Sequence, residues 1–320
     1  MRYLKAAPFY QERVWGGRNL EKALGRTLPR ERSIGESWEI VDRPEADSFF
    51  PAEGQPLSKL RKERTKWLMG PGWPADKPFP ILVKWLDCEQ RLSLQVHPPA
   101  EVAPKLNGEP KTENWYIVEA KPEAALLAGL KPGVSPEQFR AAIKEERLEE
   151  LVHRLPSRAG DALFVRSGRL HAIDAGNLIL EIQQNSDTTY RVYDWGRKGL
   201  DGKPRQLHVD ESLASIDFSD TAPELLHPEG AETVLADAEE FRLRRREVQP
   251  EEALSFGAGE EPRILSVVEG SLANGDGFLA RRGDNLLLPF GEVSSWEARE
   301  PSVVLITDQF ARPGKKKGKK

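Results

Sequence analysis

The residues able to do chemistry fall in four short stretches of a 320-residue chain. In Leu92-Ser93-Leu94-Gln95-Val96-His97, apolar and polar side chains alternate with the period of a strand that has one face in a core. Ser93, Gln95 and His97 therefore share the other face. A polar face turned into a small barrel is costly unless a metal or ligand satisfies it, whereas a lone histidine is as readily explained by a bond to backbone. Lys111 and Glu113 have the same parity at the start of a second strand-like run, and His171 follows Gly168 in Ser167-Gly168-Arg169-Leu170-His171. Gln95, His97, Glu113 and His171 make an imidazole-and-oxygen set suited to zinc, manganese, iron or nickel, not to calcium or a thiolate site. Such a set leaves coordination positions open, as a catalytic metal requires.

The fourth stretch, Leu178 to Arg191, puts Glu181, Gln183, Asn185 and Arg191 on one parity unless a turn near Ser186-Asp187 breaks the register. A carboxylate and a guanidinium facing one cavity supply a proton acceptor and an electrostatic clamp; the plainer alternative is a structural Glu–Arg pair. His153 falls on an expected helix, His208 precedes an acidic segment and His227 lies in a linker. All three are read as structural or exposed.

The elements that must position these groups are mostly β. Short strand-like runs punctuated by Gly, Pro and Asp cover Phe79 to Leu86, Leu92 to His97, Glu113 to Glu119, Asp161 to Val165 and Leu178 to Arg191. Two helices interrupt them. One starts at Ser135-Pro136 with a capping box to Gln138 and an apolar face running through Phe139, Ile143, Leu148, Leu151 and Val152; the other runs from Pro56 to Met69. Beyond Asp217 a linker-like segment leads to further runs at Phe241 to Val248, Ile264 to Val268, Phe278 to Arg281, Asn285 to Pro289 and Val303 to Thr307.

The halves share a pattern. Gly160 precedes Arg166, Gly168 and His171 at the spacing with which Gly283 precedes Pro289, Gly291 and Ser294, which resembles the second cupin motif with Ser294 in place of the histidine. The expected fold is therefore mostly β, two cupin-like jelly-roll barrels with a few helical insertions. Residues 1–218 form the catalytic cupin, 219–228 the linker, 229–312 a C-terminal β-domain without metal ligands, and 313–320 a disordered lysine-rich tail.

Composition narrows the functional class. The 47 basic and 51 acidic residues are mixed along the chain and give no electrostatic footprint for nucleic acid. No apolar stretch approaches the roughly 20 residues of a membrane span, and no leader pattern opens the chain. The single cysteine, Cys88, fits a reducing cytosol and a buried free thiol.

The stretches FPILVKWLDCEQRLSLQVHPP, GEPKTENWYIVEA, GRLHAIDAGN, LEIQQNSDTTYRVYDWGR and PRQLHVDESLASIDF, with WGGRNL and GESWEI before them, resemble type I mannose-6-phosphate isomerase in its short bacterial form, over residues 8 to 218. The resemblance implies one zinc ion held by Gln95, His97, Glu113 and His171. It implies Arg191 as the active-site arginine, Glu181 as a candidate acid/base, and Ser93, Lys111 and Arg197 as contacts to a sugar phosphate. The implied reaction interconverts mannose 6-phosphate and fructose 6-phosphate through an enediol. Two other readings of the same residues are a non-haem iron oxygenase, which also uses two histidines and a carboxylate, and a non-catalytic carbohydrate-binding or regulatory cupin.

Overall fold

The computed structural model describes residues 3–311, so the lysine-rich tail lies outside the described residues. The chain divides into two compact units, each discontinuous in sequence: residues 3–9, 38–84 and 228–311 form one, and residues 10–37 and 85–227 the other.

The second of these is built on two sheets. Strands Ala162–Val165, Glu113–Ala120, Asn177–Gln184, Ile81–Cys88, Ile34–Ile40 and Phe9–Gly17 lie side by side in that order; Val152–Pro156, Ala125–Leu130, His171–Ile173, Leu94–Val96 and Tyr190–Tyr193 form the other sheet. Their inner faces meet in a core of Trp15, Leu86, Cys88, Trp115, Ile117 and Ile179 from the first sheet against Leu126, Ala128, Leu155 and Ile173 from the second. Alternation decides which side chains enter it. Leu94 and Val96 point the other way, joining Leu127, Ala172 and Val192 beneath Phe139, Ala142 and Leu148, so Gln95 turns inward. The helical insertions thus cover the outside of the sheet that carries Gln95 and His171.

The helix beginning at Ser135 has the expected reciprocal cap, Gln138 N donating to Ser135 Oγ at 3.2 Å and Ser135 N to Gln138 Oε1 at 2.9 Å. It stops at Lys144, short of the predicted end. Leu148–Glu150 make a single tight turn, and Val152–Pro156, His153 included, is a strand paired with Ala125–Leu130. The apolar spacing at 148, 151, 152 and 155 has the helical period, and sheet pairing prevails over it. The run from Leu178 to Arg191 also divides. Asn177–Gln184 belongs to one sheet and Tyr190–Tyr193 to the other, so the segment 185–189 passes between sheets and the parity of Glu181 does not carry over to Arg191. Cys88 is buried in the inner core, and burial pushes its thiol well above the usual range.

In the other unit, six antiparallel strands in the order Leu4–Lys5, Asn285–Leu288, Arg263–Glu269, Ser302–Asp308, Arg242–Val248, Glu232–Asp237 accompany a four-stranded sheet. Its interior is closed by Leu265, Val267, Leu286, Leu288, Val304 and Ile306 packed on Leu254, Leu272 and Trp296. The repeated glycines, Gly160 and Gly283, both have φ above +90°, a conformation open to glycine, and each opens a short strand. Ser294, at the position that His171 holds in the first copy, accepts a bond from Trp296 Nε1 and is spent on the fold.

Candidate metal and acid/base site

Strand register assembles the site. Gln95 is the ladder partner of His171 on one side and of Arg191 on the other, while Glu113 lies opposite Gln183 and Trp115 opposite Glu181 in the facing sheet. Ligand atoms of His97, Glu113 and His171, all buried, lie within 4.8 Å of one another. His97 Nε2 is 3.4 Å from Glu113 Oε2 and His171 Nε2 3.7 Å from Glu113 Oε1. Gln95 Nε2 approaches His171 Nε2 at 3.3 Å.

Backbone carbonyls set the tautomers. His97 Nδ1 donates to Thr188 O at 2.9 Å and His171 Nδ1 to Arg169 O at 2.7 Å. Both Nε2 atoms therefore carry lone pairs aimed at Glu113, the second-sphere arrangement that orients metal-ligating histidines. Burial, reinforced for His97 by Lys111 and for His171 by His97, lowers both pKa values, His171 to about 3, and keeps the rings neutral as ligands must be. Burial would raise the Glu113 carboxyl, but the Lys111 ammonium beside it outweighs burial and holds the group well below the usual carboxylate range. Buried His97 Nε2 and Glu113 Oε1 have no hydrogen-bond partner. Two converging lone pairs and an ionised carboxylate, all buried, fit a divalent cation.

Around this cluster, Lys111 is buried with Nζ 2.9 Å from Glu113 Oε2 and 3.9 Å from Glu181 Oε1. Burial favours its neutral form, but Glu113 and then Glu181 raise its pKa and keep it charged. Glu181 is buried, its Oε2 accepting from Trp115 Nε1 at 2.9 Å. Arg191 Nε donates to Ser93 Oγ at 3.3 Å and Nη1 to Gln206 O at 2.9 Å, while its backbone N donates to His208 Nδ1 at 3.2 Å. Burial and the nearby Arg205, Arg197 and Arg13 lower the Arg191 pKa. Arg197 is held 2.9 Å from Asp194 and bonds to Arg91 O.

Lys111 therefore stands at the ligand cluster, whereas Arg197 belongs to a separate arginine group. His227 Nδ1 pairs with Asp161 at 2.6 Å, and Arg166 pairs with Asp217 and Asp220 at 2.9 and 3.1 Å. Sequence reasoning did not reach Trp115, Asp194 or Arg205, nor the carbonyls of Thr188 and Arg169. An indole one strand position beyond Lys-x-Glu was the signal for the first; carbonyl placement leaves none.

The family model for the phosphomannose isomerase type I catalytic domain matches residues 3–134. The probable mannose-6-phosphate isomerase GmuF of Bacillus subtilis (strain 168) is 35% identical over 301 residues, which span 89% of this chain and 93% of that protein. The crystal structure of the mannose 6-phosphate isomerase from Bacillus subtilis superposes with a TM-score of 0.83 at 28% identity, covering 96% of this chain and 99% of the other. A mannose 6-phosphate isomerase solved with zinc and yttrium bound shares the fold, with a TM-score of 0.73 at 16% identity over 95% of this chain and 99% of that one. Among the described residues no helix is long and apolar enough to cross a membrane.

Proposed function

Because this chain belongs to the type I phosphomannose isomerase family, we propose that it interconverts mannose 6-phosphate and fructose 6-phosphate at the cluster of His97, Glu113 and His171. The observation that carries the reading is the pair of histidines whose Nδ1 atoms are spent on backbone carbonyls, leaving both Nε2 lone pairs aimed at one buried carboxylate. Zinc is one of the metals this donor set suits, and Gln95, whose Nε2 faces His171 and whose Oε1 faces Ser93, would add its oxygen as fourth ligand once its amide is turned. When bound, it supplies Lewis acidity toward the sugar oxygens on which charge develops.

The residues of the chain do the rest. Glu181 takes the proton from C2 of the aldose and returns it to C1 of the enediol, while a second proton passes from the C2 hydroxyl to the C1 oxygen, so that no proton is consumed overall. Trp115 Nε1 holds that carboxylate in place through Oε2. Lys111 and Arg191 bring fixed positive charge to the two sides of the cavity, which stabilises an enediolate more than the neutral sugar. Ser93, bonded to the Arg191 guanidinium, stands toward the sugar hydroxyls, and Arg197 serves the phosphate. In this reading the chemistry belongs to the unit of residues 10–37 and 85–227, in place of a continuous domain 1–218, and the unit of residues 3–9, 38–84 and 228–311 contributes no metal ligand.

The test is a coupled assay for fructose 6-phosphate on chelator-stripped protein reloaded with zinc. Turnover that returns with zinc and is lost in His97→Ala is the expected result. Folded, zinc-loaded protein without turnover would leave the carbohydrate-binding cupin, and oxygen uptake with ferrous iron would point to the oxygenase.

A further inference from the structure

The loop after Arg191 contains an arrangement that the reaction scheme does not use. Asp194 is buried, 5% exposed, and accepts from two arginines at once: Arg197 Nε at 2.9 Å through Oδ1, and Arg205 Nε at 2.6 Å through Oδ2, with Arg205 Nη2 also on Oδ1; Arg197 Nη2 lies 2.8 Å from Oδ1 as an ion-pair contact and makes no hydrogen bond. The residues between form a tight turn. Trp195 and Gly196 have φ of +58° and +67°, and Arg197 N donates to Asp194 O at 3.2 Å. A tryptophan is not at ease in that conformation; backbone of this kind costs about 1–3 kcal/mol and persists where its surroundings over-determine it. Here Trp195 Nε1 donates to Leu92 O at 2.6 Å, the residue before Ser93, and Arg91 lies 4.6 Å over the indole ring. The turn is thus pinned to the strand that carries Ser93 and Gln95. At the far end of the loop, Arg191 Nη1 bonds to Gln206 O, next to Arg205.

Three guanidiniums gathered in one stretch of chain, with Arg191 bonded to Ser93, repel one another, and Arg191 and Arg197 are each lowered in pKa by burial and, in part, by the neighbouring arginines. Something must hold them there. Three arginines and one carboxylate leave two net positive charges, the complement of a phosphate monoester, which carries about −1.5 to −2 at neutral pH. Among the described residues, no acceptor takes up Arg205 Nη1 or Arg191 Nη2.

Resting on the sugar-phosphate reading above, we propose that Asp194 is a positioning residue that holds Arg197 and Arg205 as a preformed clamp for the substrate's phosphate, Arg205 being its second cation. Asp194 touches no substrate; it fixes the two forks that do. A guanidinium already oriented loses less side-chain freedom on binding, which is the benefit of preorganisation.

The sign of one substitution separates this from plain electrostatics. Asp194→Asn removes a negative charge beside an anion site, so long-range charge alone would tighten phosphate binding. Loss of positioning weakens it. On the zinc-loaded full chain, the expected result for Asp194→Asn is a rise of about tenfold to a hundredfold in KM for mannose 6-phosphate. The same rise is expected in the inhibition constant of inorganic phosphate, with kcat falling by less than KM rises, zinc content at the wild-type level, and partial recovery in Asp194→Glu. Arg205→Met, which leaves Asp194 paired with Arg197, should raise both constants by about tenfold, so a folding defect in Asp194→Asn does not decide the matter. Unchanged or lowered constants in Arg205→Met, or tighter phosphate binding in a folded Asp194→Asn, would overturn the proposal. If the wild-type protein shows no turnover, the isomerase reading fails; calorimetry with inorganic phosphate on wild type and Arg205→Met then decides for the clamp by weaker binding in the variant and against it by equal or absent binding.

Discussion

Replacing Glu113 by Gln isolates what the buried carboxylate does for the fold from what it does for the metal. In chelator-treated protein, Lys111 Nζ has Glu113 Oε2 at 2.9 Å and Glu181 Oε1 at 3.9 Å, with all three side chains buried. Glu113→Gln leaves the ammonium with the longer contact alone. Removing one partner of a buried pair costs about 3–5 kcal/mol, and the surviving Glu181 contact places this case at the low end, about 3 kcal/mol. At roughly 2–4 °C per kcal/mol for a domain of this size, the apo protein should melt about 6 to 12 °C lower. Lys111→Met in the same background removes the stranded charge and should restore most of that loss without restoring metal. The assay is thermal denaturation of the apo wild type, both single variants and the double variant, with zinc content measured in parallel. Zinc should rescue Lys111→Met, in which a bound cation replaces the lost ammonium, and not Glu113→Gln. An apo Glu113→Gln that melts with the wild type, or a double variant no more stable than that single, would refute the reasoning.

Three further outcomes follow from the same structure. Burial raises the Asp87 carboxyl from 3.8 to about 6, so the folded state binds more protons; its contribution is full below pH 3.8 and is lost as pH rises through about 6, at most about 3 kcal/mol. Asp87→Asn, whose amide oxygen can still accept from Asn19 N, should flatten that decline in urea titrations and be the more stable protein at pH 7.5. Glu181→Gln should lower kcat by about two to four powers of ten with zinc content unchanged, read by the coupled assay and metal analysis together. Ser135→Ala breaks the capping box and should cost about 1 kcal/mol by chemical denaturation, with no change in KM.

Strand parity was legible in the sequence because one face of Leu92 to His97 is apolar, and the structure turns Leu94 and Val96 to the helix-covered side as that pattern requires. Glu113 and His171 were legible as chemistry, since carboxylate and imidazole are the donors a catalytic metal uses. What failed was longer in range. The spacing of Leu148, Leu151, Val152 and Leu155 is that of a helix, and pairing with Ala125–Leu130 overrode it. Parity carried from Glu181 to Arg191 crossed a turn between sheets, where it no longer holds. Lys111 was named as a sugar-phosphate contact through the family resemblance alone. Its burial against Glu113 depends on a facing strand that no local window contains.

The site divides its labour between backbone types. Metal-side donors sit on or beside strands whose ladders fix them: Gln95 lies between His171 and Arg191, and Glu113 lies across from Gln183. A slip of one residue in Leu94–Val96 would replace Gln95 by an apolar side chain and turn its neighbours away, so the whole constellation depends on a few register-setting bonds. Arg197 and Arg205, the proposed phosphate clamp, sit on the loop from Asp194 to Gln206, which is tied through Trp195 and Arg197 to Leu92 and Arg91 and through Gln206 to Arg191. Reacting atoms demand placement to within about half an ångström, whereas a remote charged group tolerates more. Substitutions in the loop can therefore change how tightly an anion is held while leaving the ligand geometry intact, and substitutions in the strands cannot do the reverse.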